Sequence, residues 1–180
     1  MTLSVARDAS TLQRFWPWLG LLARVVVGGV WLIAGWTKVT DPAASVRAVR
    51  AYELLPEDVV PTVGNGLPVL ELSIGLLLVV GLAQRLSAIV SALLLLGFTV
   101  GIASAWARGL QIECGCFGGG GAGDADAASS YPWDIARDVA LLALSVALVW
   151  RPVTRWSIDG VISSAARPEP ERDLTRSHPA

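Results

Sequence analysis

Cys114-Gly115-Cys116 holds the only two cysteines of this 180-residue chain. A pair this close can be a dithiol, a strained disulfide or half of a soft-metal site. A Cys-x-Cys disulfide closes a smaller ring than Cys-x-x-Cys, and strained disulfides are the more easily reduced ones. As a permanent staple so short a loop adds little stability. Lys38, Arg108 and Arg137 are cations that would favour thiolate, whereas Glu113 opposes it. Thiol–disulfide exchange is therefore preferred to a passive disulfide or free thiols. Metal binding ranks third, with no metal site assigned, because two thiolates without a histidine or further cysteines make an incomplete ligand set. The sole histidine, His178, lies in the polar C-terminal stretch. That argues against haem ligation and histidine-based acid–base chemistry.

The elements that must position this pair are apolar and long. Hydrophobic residues make up 53 % of the chain and charged residues 16 %, below the about 25 % usual for soluble domains. The net charge of −1 offers nothing for nucleic acid to bind. No charge occurs from Leu86 to Ala107, enough to cross a bilayer core. Leu19–Thr37 is interrupted only by Arg24, and Thr62–Ala83 only by Glu71. Trp133–Trp150 crosses if Asp134, Arg137 and Asp138 occupy its outer turns. The expected fold is all-α: a four-helix transmembrane bundle with spans at about 16–38, 62–83, 86–107 and 133–151. Asp41-Pro42 is a helix-start signal. With Val46, Val49 and Tyr52 at three-residue spacing, it predicts a short extracytoplasmic interfacial helix between spans 1 and 2. Residues 1–15 read as a cytoplasmic arm and 152–180 as a disordered cytoplasmic tail. The first span reads as uncleaved. Gly118–Gly123 reads as a mobile loop beside the cysteines.

Charge bias sets the expected orientation. Arg7, Arg14, Arg85, Arg151, Arg155 and the tail arginines share one side with both termini. Lys38, Arg47, Arg50 and Arg108 fall on the other. The positive-inside rule puts the termini in the cytoplasm and leaves Cys114 and Cys116 extracytoplasmic, where disulfides persist. Trp16, Trp18 and Trp150 fall at one interface and Trp36, Trp106 and Trp133 at the other, as an aromatic belt requires.

Two charges interrupt the spans. A charge in hydrocarbon is costly unless paired or solvated, so Arg24 and Glu71 are expected to form a structural intramembrane ion pair between the first two spans. The alternative is the polar wall of an intramembrane site. Gly28, Gly29, Gly35, Gly75 and Gly81 permit close helix approach.

Taken together, Arg24, Gly28, Gly29, Gly35, Lys38 and Asp41-Pro42, then Glu71, Gly75 and Gly81, then Glu113-Cys114-Gly115-Cys116-Phe117-Gly118 and Arg137-Asp138 form a pattern over about residues 20–150. It resembles the methylamine-utilisation MauE branch of the DoxX-like integral membrane proteins. The resemblance implies a four-helix membrane bundle concerned with maturation of a disulfide-rich extracytoplasmic protein. Relatives in the wider family imply thiol redox balance and quinone-coupled oxidation. The chain also resembles the vitamin K epoxide reductase-like disulfide generators, but it lacks their second, shuttling cysteine pair.

The expected function is thus a membrane thiol–disulfide oxidoreductase, or the redox-active membrane subunit of one. Cys114 and Cys116 would exchange with an extracytoplasmic protein, a thioredoxin-fold one being a candidate, by way of a mixed disulfide. The electrons would pass to a membrane quinone, with Lys38, Arg137 and Asp138 as its polar contacts. The alternatives are a non-catalytic membrane anchor or assembly factor for an extracytoplasmic redox enzyme and, less favoured, Cu(I) delivery.

Overall fold

The computed structural model describes residues 2–113, 115, 121–122 and 127–150, with backbone only for 2–16 and 121–128. Cys114, Cys116, most of the glycine-rich loop and the expected tail at 152–180 lie outside the described residues.

Five helices account for nearly all of that structure. They are α1 (Thr2–Thr40), α2 (Pro42–Ala51), α3 (Val60–Val80), α4 (Gln84–Ala107) and α5 (Tyr131–Trp150). Three segments are long and apolar enough to cross a membrane: Pro17–Thr40 of α1, α3 and α4. Their outward residues include Leu22, Ile33, Leu86 and Leu93, each more than half exposed. Apolar surface on that scale calls for lipid as its solvent.

Local chemistry sets the helix ends. Asp41 caps α2 by accepting the Ala44 N–H at 2.9 Å, and Pro42 opens the helix. The α3–α4 turn is tight because Gly81 takes a left-handed conformation (φ 75°). Its N–H and that of Leu82 both return to the Leu77 carbonyl at 2.8 and 3.1 Å, satisfying the end of α3.

α1 packs along α3 and α4 along α5, and the two pairs meet through α1–α5 and α3–α4. Glycine decides how closely α1 and α3 approach. A Cβ on Gly28 would stand 2.8 Å from Val79 Cγ2 and 2.9 Å from the Gly75 carbonyl oxygen, and one on Gly35 would meet Leu72 at 2.8 Å. The four helices enclose Val27, Trp31, Ile74, Leu78, Ala88, Leu95, Leu141 and Leu148. Through this core runs a polar thread. Trp31 Nε1 donates to Ser91 Oγ at 2.8 Å, Ser91 and Ser145 hydroxyls lie 3.0 Å apart, and Ser145 donates to the Leu141 carbonyl at 2.9 Å. Such bonds join helices where no water can compete.

The segment between α4 and α5 is a hairpin rather than an open loop at its ends. β1 (Ile112–Glu113) pairs antiparallel with β2 (Gly121–Ala122), Ile112 opposite Ala122 and Glu113 opposite Gly121. Both strands rest against α2. A short 3-10 turn, Ala127–Ser130, leads into α5.

Candidate functional site

Apart from Arg24, the buried charged residues gather toward the end of the bundle that carries the hairpin. Lys38 lies in the last turn of α1, Glu71 at mid-length on α3, and Asp134, Arg137 and Asp138 in the first turns of α5. Lys38 and Glu71 form an ion pair with side chains 7 % and 0 % exposed. The Lys38 ammonium also sits 5.4 Å from the centre of the Phe98 ring, a favourable position for a cation over a π-face.

This pairing corrects the expected Arg24–Glu71 bridge. Helix register explains why. Gly28 meets Gly75 and Leu78, and Gly35 meets Pro68 and Leu72. Glu71 therefore stands beside the Ala34–Lys38 turn. Arg24 lies about ten residues earlier on α1, about 15 Å at ~1.5 Å per residue. Arg24 is buried, 2 % exposed, at the opposite end of the bundle.

On α5, Arg137 is a bridge. Its Nη1 lies 3.0 Å from Asp134 Oδ1, and its Nη2 and Nε reach Asp138 Oδ1 at 3.0 and 3.1 Å. Ser130 Oγ donates to Asp134 Oδ2 at 3.3 Å. The sequence expectation grouped Lys38, Arg137 and Asp138, and the structure brings these three together with Glu71 around one small cavity of about 20 Å³. That volume holds a single water. Trp31, Ala34 and Phe98 complete much of its wall.

Lys38 also lines a second, larger cavity of about 360 Å³ between α2, α3 and α4. Its walls are chiefly apolar, with Ala48, Leu67, Leu94 and Phe98 along them and Tyr52 and Gly115 also contributing. Gly115, the residue between the two cysteines, is buried and left-handed (φ 68°). A side chain there would be strained, which accounts for glycine at this point. Of the three expected polar contacts, Lys38 alone faces this larger space; Arg137 and Asp138 line only the smaller one.

Tyr131 holds the hairpin in place, a role that sequence reasoning missed. It is 1 % exposed. Its hydroxyl accepts the Ile112 N–H at 2.9 Å and shares its proton between the Leu110 carbonyl at 2.8 Å and the Ile112 carbonyl at 3.0 Å. With Ile102, Ala105 and Ile112 it forms a second apolar cluster under the hairpin. Nothing in the local sequence marks Tyr131, since its partners are brought to it by the fold of the intervening segment. Tyr52 was read only as an apolar helix position. Burial, its largest influence, pushes its phenol well above the ordinary value, so it stays neutral. Arg108 donates to the Tyr52 carbonyl.

An all-α, multi-pass membrane protein is the class these features define, with buried ion pairs and an apolar cavity beneath a hairpin at one end of its helices. The chain belongs to the family described as methylamine utilisation protein MauE, which matches over residues 16–151. No curated protein and no solved structure gave a match.

Proposed function

We propose that this chain is an integral membrane thiol–disulfide redox protein. In this reading α5 is a fourth span, α2 lies along the outer membrane surface, and both termini are cytoplasmic. Cys114 and Cys116 then face the extracytoplasmic side, where one attacks or is attacked by a partner protein's sulfur and the other resolves the mixed disulfide. Trp36, Trp106 and Trp133, all exposed at this end of their helices, support an interfacial level for it. The family's description supports methylamine utilisation as the setting.

The single observation that carries the redox reading is the position of Gly115. The residue joining the two cysteines lines a 360 Å³ apolar cavity whose wall also includes Lys38. A membrane quinone fits that donor set, with an apolar body against Leu67, Leu94 and Phe98 and a carbonyl oxygen able to accept from Lys38. When bound it would take two electrons and two protons as two thiols become one disulfide. The chain's own contribution is to hold Lys38 in place through Glu71, to exclude water with apolar walls, and to bring the cysteine segment to the cavity through the Tyr131 clamp.

Thiol trapping in intact cells with a membrane-impermeant maleimide tests the exchange step. Cys114→Ser or Cys116→Ser should accumulate a mixed disulfide with an extracytoplasmic protein. Finding neither adduct, with both thiols inert to the reagent, would sink exchange. If the double serine variant still supports the partner's activity, the chain acts as an anchor or assembly factor instead. Gly97→Leu tests the cavity. A Cβ at Gly97, which lines it, meets nothing within 4 Å among the described residues, so the larger side chain has room to enter the space. Binding of a short-chain quinone analogue should weaken at least roughly tenfold, the effect of ~1.4 kcal/mol. Unchanged affinity would remove the quinone from this cavity.

A further inference from the structure

The ion pairs around the small cavity do not balance. Two cations, Lys38 and Arg137, face three carboxylates, Glu71, Asp134 and Asp138. Both Asp134 oxygens have partners, one on Arg137 and one on Ser130. Glu71 and Asp138 each give one oxygen to a cation. Their other oxygens, Glu71 Oε2 and Asp138 Oδ2, are buried without a hydrogen-bond partner among the described residues. Both residues are at least nine-tenths buried, at 0 % and 2 % exposed, and both line the water-sized cavity. The surplus negative charge thus resides on these two carboxylates. Apolar surroundings strongly disfavour an uncompensated charge.

We propose that Glu71 and Asp138 form an intramembrane proton-binding site, holding one exchangeable proton between them with a water in the cavity. One added proton makes the five-residue cluster neutral and supplies a donor where two acceptors lack one. Among the described residues, the charged groups nearest the pair are Lys38 from α1 and Arg137, with its partner Asp134, from α5; the lining from α4 is uncharged, Leu95 and Phe98. Lys38 borders both cavities and bonds to Glu71. It is the polar side chain through which a proton at this site adjoins the larger cavity. Use of that proton in quinone reduction rests on the redox reading above; its presence does not. In that use, the proton held by the carboxyl pair passes to the quinone, one of the two protons released by the thiols reloads the pair, and the other goes to the quinone directly. The site is left as it began.

Infrared spectroscopy of the full chain in lipid nanodiscs, with ¹³C-labelled aspartate and glutamate in separate samples, tests this. The expected result is one neutral-carboxyl C=O band per chain at pH 7 that shifts on exchange into D₂O. It should vanish in both Glu71→Gln and Asp138→Asn and remain in Glu57→Gln. Absence of the band from the unsubstituted protein would overturn the proposal. So would its persistence in either of the two variants, which would assign the proton to one carboxyl alone or to another group. Isotope labelling identifies the protonated residue type even if a variant fails to fold. The Cys114→Ser/Cys116→Ser protein should keep the band. If thiol exchange fails while the band is present, the redox reading falls and the proton site stands. If exchange succeeds and the band is missing, the proton site falls alone.

Discussion

Lys38 and Glu71, 33 positions apart in the chain, form a buried ion pair that ties the last turn of α1 to the middle of α3. The pair sits where the two cavities adjoin, so it serves both helix packing and the polarity of the site. Removing either partner leaves the other without its direct ion-pair contact, whereas removing both does not.

Glu71→Ala should therefore destabilise the chain by about 3–5 kcal/mol. Lys38→Met combined with Glu71→Leu should recover most of that loss. Thermal unfolding in detergent micelles, followed by helical circular dichroism, measures both. Equal losses in the single and double variants would show that the pair does not hold the helices.

The glycine contacts predict a sharp difference between neighbours. Gly28→Ala places a Cβ 2.8 Å from Val79 Cγ2 and 2.9 Å from a backbone oxygen, while a Cβ at Gly29 meets nothing within 4 Å. Gly28→Ala should cost about 1–3 kcal/mol by overpacking, and Gly29→Ala should be neutral or slightly stabilising. Because Gly28 sets the α1–α3 register, its variant should also lower the protection of Glu71-bound Lys38 from amine-reactive reagents. The same unfolding assay ranks the two.

Tyr131→Phe removes the hydroxyl shared by Leu110 and Ile112 and leaves the buried Ile112 N–H without its acceptor. A cost of ~1–3 kcal/mol is expected, concentrated in the hairpin rather than the helices. Amide exchange should accelerate at 110–113 and not within α3. Alkylation of Cys114 and Cys116 should become faster. Uniform acceleration throughout the chain would mean that Tyr131 supports the whole bundle instead.

On the surface beyond the spans, the Arg50 side chain donates from Nε to both Glu57 oxygens, at 2.8 and 3.1 Å. That hydrogen bond, more than charge attraction, holds the Glu57 carboxyl below its ordinary value. A depressed carboxyl contributes stability that is present above the unfolded-state value and is lost as pH falls through the folded one. Local opening around 50–57 should therefore increase only on acidification below the ordinary carboxylate range. High salt should weaken the contact. Glu57→Gln should abolish that pH dependence, as carboxyl and amide NMR titration would report.

Much of the architecture is determined by the order of residue types. Apolar runs at Leu19–Thr37, Thr62–Ala83 and Leu86–Ala107 have no way to bury their backbone in lipid except as helices, and helices occupy all three. Asp41-Pro42 carries the start of α2 in its own side chains, since capping involves only residues three apart. The gathering of Lys38, Arg137 and Asp138 was legible because the last turn of α1 and the first turns of α5 fall at one end of the bundle. The partner of Glu71 was not. Counting residues from the span ends placed Arg24 within reach, but the true axial offset is set by Gly28 against Gly75 and Gly35 against Leu72, contacts between distant segments. The hairpin likewise escaped notice, because a two-residue ladder between Ile112–Glu113 and Gly121–Ala122 has no periodicity to read. Tyr131 gained its role only when the chain returned to α4. Local chemistry thus determined the helices and the chemically capable residues. Helix register, a property of close contacts between segments far apart in sequence, decided which charges meet, where the cavities open, and that Gly115 borders the larger of the two that Lys38 lines.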